Sequence, residues 1–142
     1  MASNETLGIL LGETARIWRT KLDQRLRPLG LSQAKWRVLL HLNLARDELT
    51  QKALSERLGI EGPSLVRLLD RMEDDDWVER RASPSDRRAK TVHLTARAME
   101  TLREIKRIAT RLRGELLSDI SVEELTVVSD VLQRIKLRAE QL

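Results

Sequence analysis

Cysteine, phenylalanine and tyrosine are absent from this chain of 142 residues, and only two histidines and three tryptophans are present. Without cysteine there is no disulfide, no thiolate metal site and no thiol-based redox sensor. His41 and His93 stand far apart in sequence. A zinc site would need mostly carboxylates, so no metal or cofactor is expected. Three tryptophans do not furnish the stacking platforms that single-stranded nucleic acid requires. No apolar run approaches the ~18 residues of a membrane span, and no signal peptide opens the chain. The expectation is a cytoplasmic protein with no membrane partner. Enzyme chemistry is also missing. No histidine lies at a recognisable spacing from a nucleophile, there is no glycine-rich phosphate loop, and Asp74-Asp75-Asp76 lacks the alternating ligands of a calcium loop. No catalytic residue is expected.

What is present suits a wet, helix-rich globule: 41% hydrophobic and 34% charged residues, long enough for one domain with a real core. The net charge of +4 is unevenly placed. Residues 80–113 hold eleven Lys or Arg against three acids, a local surplus of eight. A stripe of this kind suits a polyanion; the alternative reading is a solvated helix face.

Helix punctuation is legible along the chain. A first helix runs from Asn4 or Glu5 to Arg27, before Pro28 and Gly30. A second starts at Ser32 as N-cap, with Leu31 and Trp36 as a hydrophobic staple, and ends near Ala45. A third starts at Thr50, with Leu49 and Leu54 as staple, and stops at Gly59. A fourth follows almost at once, with Gly62 at N-cap and Pro63 at N1. That short turn is the mark of a helix-turn-helix. Two strands are expected at Trp77–Arg81 and Lys90–Leu94, joined by a polar segment too long for a minimal hairpin. A fifth helix starts at Thr95, with Leu94 and Met99 as staple, and carries a heptad seam of Ala98, Leu102, Ile105, Ala109, Leu112 and Leu116. A sixth opens with the capping box Ser121/Glu124 and the staple Ile120/Leu125.

The expected fold class is mainly α with a small β-hairpin wing (α+β), a single winged helix-turn-helix domain over residues 1–142. Residues 31–94 form its DNA-binding lobe. Residues 1–30 and 95–142 supply amphipathic helices with too few partners in one copy, so a homodimer built from these terminal helices is expected.

The fourth helix and the hairpin carry the functional reading. Leu65, Leu68, Leu69 and Met72 follow i, i+3, i+4, i+7 and face the core. Ser64, Arg67, Asp70 and Arg71 then face outward. The N-terminal end of a helix favours phosphate, and Arg one turn in is the commonest bidentate reader of guanine. The alternative for Arg67 is a surface salt bridge with Asp70 or Asp74. At the hairpin tip, Arg87 and Arg88 suit a narrow minor groove, with Asp86 pairing an arginine to fix the tip. Gln51, Lys52, Arg80, Arg81 and Lys90 are placed to touch backbone phosphates, which position a protein without reading sequence.

These segments resemble the MarR family of bacterial transcription regulators, and most closely its SlyA-like branch. The resemblance runs from about Arg16 to the C-terminus. It is carried by Arg16-Ile17-Trp18-Arg19, by Asp23 to Leu29, by Gly59-Ile60-Glu61-Gly62-Pro63-Ser64-Leu65-Val66-Arg67, and by Ser85-Asp86-Arg87-Arg88-Ala89-Lys90. It implies a dimer on a pseudo-palindromic operator in double-stranded DNA, in the bacterial cytoplasm and on the nucleoid when bound. Pro63, Ser64 and Arg67 would lie at the recognition helix's DNA face, and Arg88 would be the minor-groove arginine, held by Asp86. It also implies a cleft for a small phenolic or aromatic carboxylate, lined here by Arg16, Trp18 and Trp36; the alternative is that both tryptophans are core. Two positions depart from the family pattern: Asp76 stands where Gly is common, and the cysteine of peroxide-sensing relatives is missing. The expectation is a sequence-specific regulator, repressor or activator. The alternatives are a helical adaptor that binds protein, and an architectural protein that binds DNA without sequence preference.

Overall fold

The computed structural model describes residues 3–142 as two compact units, the first reaching to Ala109 and the second running Thr110–Leu142. In the first unit α1 (Asn4–Leu26) leads through a 3-10 turn (Arg27–Leu29) to α2 (Gln33–Leu44). Then come β1 (Leu49–Thr50), α3 (Gln51–Leu58), α4 (Gly62–Asp74), β2 (Val78–Ala82) and β3 (Lys90–Leu94). The boundary falls within α5 (Ala96–Leu116), and α6 (Val122–Glu140) completes the second unit. No helix among the described residues is long and apolar enough to cross a membrane.

Local chemistry accounts for most helix ends. The Ser32 hydroxyl accepts the N–H of Lys35 at 3.4 Å, Thr50 accepts that of Ala53 at 3.1 Å, and Ser121 and Glu124 form the full reciprocal box. Leu31, Trp36, Leu49 and Leu54 are buried, as two staples require. α3 ends in a Schellman motif: Gly59 sits at φ 66°, and the Ile60 N–H reaches the Ser55 carbonyl at 3.1 Å. α4 ends the same way, with an L-residue in the left-handed position. Asp76 is at φ 61°, its N–H donates to Glu73 O, and the Trp77 N–H donates to Met72 O at 2.8 Å. The side chains of Trp77 and Met72 are both buried, the apolar contact that accompanies this motif.

Four expectations need correction. α4 begins one residue early, with Glu61 at N-cap and Gly62 already helical, because the Glu61 carbonyl accepts the Leu65 N–H at 2.9 Å. Pro63 therefore lies at N2, where an N–H is equally dispensable. The sheet has three strands, in the order β1-β3-β2. β1 pairs Leu49 with Val92 and Thr50 with Thr91, so the residues that staple and cap α3 also form a short edge strand. Trp77 belongs to the α4 cap, and β2 starts at Val78. Lastly, Met99 and Ile120, expected as staple residues, stay 50% and 37% exposed.

The core of the first unit collects Leu22 and Leu26 of α1, Val38 and Leu39 of α2, and Leu65, Leu68, Leu69 and Met72 of α4. The inner face of the sheet and Ala98, Leu102 and Ile105 of α5 complete it. The outer turns of α1 stay wet, with Ile9 at 63% and Leu10 at 52% exposure. In the second unit α6 buries no residue, although Val128, Leu132 and Ile135 repeat at helical spacing along it.

An aspartate held left-handed is costlier than glycine, which has no Cβ to clash. Asp76→Gly is expected to raise stability by about 0.5–1 kcal/mol and Asp76→Val to lower it, measured by urea unfolding at one fixed protein concentration.

Candidate nucleic-acid interface

α4 presents a strongly two-sided surface. Its four buried apolar residues fix its rotation, which leaves Ser64 half-buried and Pro63, Arg67, Asp70 and Arg71 exposed. The expected competitor for Arg67 does not materialise. Its guanidinium lies 3.4 Å from the Ser64 hydroxyl, and among the described residues neither Arg67 nor Arg71 has a carboxylate partner. The acid that was its candidate partner, Asp70, is taken by Arg80.

Arg80 is the feature that charge counting misplaced. In β2 it stands opposite Val92, and Val92 stands opposite Leu49 on the far side of β3. Residues opposite one another share a face of the sheet, and alternation puts Val78 on that face too. Val78, Val92 and Leu49 are buried, so Arg80 points inward and its side chain is only 13% exposed. Its guanidinium donates to Asp70 Oδ1 at 2.5 Å, to Glu73 Oε1 at 3.0 Å and to Gln51 Oε1 at 3.3 Å, while its backbone N–H donates to Glu73 Oε2 at 2.9 Å. One residue of β2 therefore ties the C-terminal half of α4 to the first turn of α3. Its Nε is buried without a partner. Burial works against the Arg80 charge, yet the hydrogen bonds it donates to Asp70 and Glu73 outweigh it and its pKa is raised. The Glu73 carboxyl is held below its ordinary value, first by the Arg80 backbone N–H and then by the guanidinium. Arg80 is thus an internal tie, and Gln51, expected at phosphate, is partly engaged by it.

On the other face of the hairpin Glu79 and Arg81 are exposed and paired locally, while Thr91 is buried. Arg81 lies 3.1 Å from Glu79, two residues away, and Thr91 donates to the Arg81 carbonyl at 3.3 Å. Lys90 is exposed at the end of β3. Beyond the strands the chain is tied back on itself. The Ser83 N–H reaches Ala89 O at 2.9 Å and the Ala89 N–H reaches Asp86 O at 3.1 Å. Asp86 Oδ1 accepts the backbone N–H of Arg88 at 2.9 Å. This corrects the expected role of Asp86: it holds the amide of Arg88, an Asx-type turn, and not a guanidinium. Arg87 and Arg88 are left exposed with no carboxylate partner among the described residues. The long tip thus has its reason: it folds around Asp86.

The arrangement is a helix-turn-helix beside a three-stranded wing, and known proteins share it. A transcriptional regulator of solved structure, PA3341, is similar over 95% of this chain and 98% of its own, at 45% identity and a TM-score of 0.89. The model of the MarR family matches residues 29–89. The chain belongs to the MarR family. Wild-type MarR from E. coli is similar at 26% identity, TM-score 0.74, covering 91% of this chain and 95% of that one. AbsC, a MarR family transcriptional regulator from Streptomyces coelicolor, shares the fold at 22% identity and a TM-score of 0.82, covering 100% and 99% of the two chains. The residues matched by the family model run from the end of the first helical segment to the wing tip, the part that carries α3, α4 and the Asp86 turn. This MarR-family chain is a transcriptional regulator of winged-helix fold, from a family of regulators and not of enzymes.

The three residues expected at an effector cleft are not alike. Trp36 is 3% exposed, and its indole N–H donates to Asp23 Oδ1 at 3.1 Å, tying α2 to α1. It is a core residue whose one polar atom is satisfied. Trp18 is half-buried and Arg16 exposed, two residues apart on α1 and so about 200° apart around the helix. Trp77, which the sequence offered only as a strand residue, lies under the Arg97 guanidinium at 3.9 Å from its ring centroid. Arg97 also donates to the Asp75 carbonyl at the end of α4.

A carboxyl whose pKa is depressed in the fold adds stability that is present above its unfolded value and lost as pH falls through its folded one. Glu73→Gln is therefore expected to be less stable than the parent at neutral pH, with the gap closing as acid protonates Glu73 in the parent. Thermal melts from pH 7 to 3 measure it; a gap that widens in acid would contradict the assignment.

Proposed function

We propose that this MarR-family regulator binds double-stranded DNA sequence-specifically as a homodimer on a pseudo-palindromic operator, with α4 in the major groove and the wing tip in the minor groove. The observation that carries the reading is the sorting of charge on α4. Arg80 neutralises two acids of the helix, Asp70 and Glu73, while among the described residues Arg67 and Arg71 stay exposed without a carboxylate partner. Repulsion from phosphate is muted where attraction is kept. Ser64 and Pro63 stand at the N-terminal turn of α4, where free N–H groups favour phosphate. Arg67, one turn in, is the base reader, and Arg88 with Arg87 enters the minor groove. Gln51, Arg71, Arg81, Lys90 and the Asp86-held tip complete the surface, by contact or by positioning.

Support for the second copy comes from the exposed apolar residues of α1 and, separately, of α6. A monomer gains nothing by leaving Val122 at 75% or Val127 at 61% exposure. A small anionic aromatic effector would meet Arg16 or Trp18 separately, since they stand about 200° apart around α1, and would not reach Trp36, whose ring is already enclosed. The motif stretches Arg16–Arg19 and Gly59–Arg67 favour the SlyA-like branch and a bacterial cytoplasmic setting.

Genomic fragments of the source organism, selected on the purified chain at physiological salt, are expected to return a short A·T-rich inverted repeat. Uniform recovery would favour the architectural reading, and none would favour a protein-binding adaptor. On that repeat, Arg67→Ala should cost about 1–3 kcal/mol and relax specificity at one position of each half-site. Arg88→Ala should weaken binding mainly where the flank is A·T-rich. If both variants bound as tightly as the parent, the assignment of the interface would be wrong. Sedimentation should give twice the protomer mass.

A further inference from the structure

We propose that Arg80 is the positioning residue of the interface, a clamp that sets the angle between recognition helix and wing without touching DNA. The proposal rests on the DNA-binding reading above and goes beyond it by placing specificity in a residue that faces inward.

The argument starts from packing. Leu65, Leu68, Leu69 and Met72 hold α4 on the core through contacts that are individually weak and without direction. Such contacts allow a helix to rotate or slide by small amounts. Reading a base edge tolerates little of that, because the Arg67 fork must meet two acceptors at once. Arg80 supplies the direction. Its planar guanidinium reaches two carboxylates one turn apart on α4 and the Gln51 amide at the start of α3. Glu73 in turn grips the Arg80 backbone through its second oxygen. Both ends of the tie are thus anchored, one on the helix that enters the major groove and the other on the strand that leads to the wing tip. Arg80 is also the wrong residue for a phosphate: its side chain is 13% exposed and its Nε is buried.

This role makes an expectation opposite to simple electrostatics. Removing an acid from a DNA-facing lobe should strengthen binding to any duplex. If Glu73 acts through the clamp, its removal should weaken operator binding instead. The test uses the full-length chain, with anisotropy titrations of the recovered operator and of a shuffled duplex of equal length across a salt series. Glu73→Ala is expected to lose roughly tenfold in operator affinity, the scale of one charge-assisted hydrogen bond. Its affinity for the shuffled duplex should be unchanged or tighter. Arg80→Gln should likewise lose operator affinity with the salt slope of the parent. A phosphate contact would instead lower the slope by about 0.9 and weaken both duplexes alike. Glu73 is exposed enough that its alanine variant is expected to fold, and thermal melts of both variants check it; should Arg80→Gln unfold, Glu73→Ala carries the test. Operator binding by Glu73→Ala as tight as the parent's, while the parent itself discriminates, overturns the clamp alone. A parent that binds neither duplex overturns the DNA-binding reading and the clamp with it.

Discussion

A guanidinium on the inner face of a small sheet must find anions, because an unpaired buried charge costs far more than a hydrogen bond returns. In this chain that requirement falls on Arg80, and α4 meets it with Asp70 and Glu73 one turn apart. Much of the lobe's geometry follows. The C-terminal half of α4 is tied to β2, the start of α3 is drawn in through Gln51, and two acids of α4, Asp70 and Glu73, are paired with Arg80. Arg67 and Arg71, on the outer face of α4, have no carboxylate partner among the described residues. A single inward arginine therefore supports both the rigidity of the surface and its sign.

Most of the fold was legible in the sequence because helix ends are local events. Ser32, Thr50 and Ser121 cap through bonds three residues away, and Gly59 and Asp76 turn the chain by their own φ. β1 was not legible. Two residues cannot show an alternation, and Leu49 and Thr50 already had a reason to be there as staple and cap. Trp36 shows the limit of local reading in another way. Its partner Asp23 lies thirteen residues earlier on a different helix, and only the packing of α1 on α2 brings them together.

The site was legible in outline and misjudged at two residues. Arg80 was grouped with Arg81 as surface charge. Yet strand alternation from Val78 places Arg80 inside and Arg81 outside, a signal available in the sequence but overridden by counting positive residues. Asp86 beside two arginines suggested an ion pair, whereas aspartate two residues before an amide more often makes an Asx turn. Both errors came from treating charge as a tally when backbone geometry had already assigned it.

The same lesson bears on the basic stretch of residues 80–113. Its surplus of eight overstates what a polyanion meets, because Arg80, Arg81, Arg107 and Arg111 have carboxylate partners close at hand. Exposed pairs such as Arg107 with Glu104 add little to stability, but they lower the long-range field that would hold any duplex regardless of sequence. Among the described residues, arginine without a carboxylate partner stands on α4 and at the wing tip, and also on α5 at Arg103 and Arg113. A lobe charged evenly over its surface would bind DNA more tightly and discriminate less, since phosphate is the same at every site. On the proposed reading, each such local pair removes some of that uniform attraction and leaves more of the discrimination to the arginines of α4 and the wing tip.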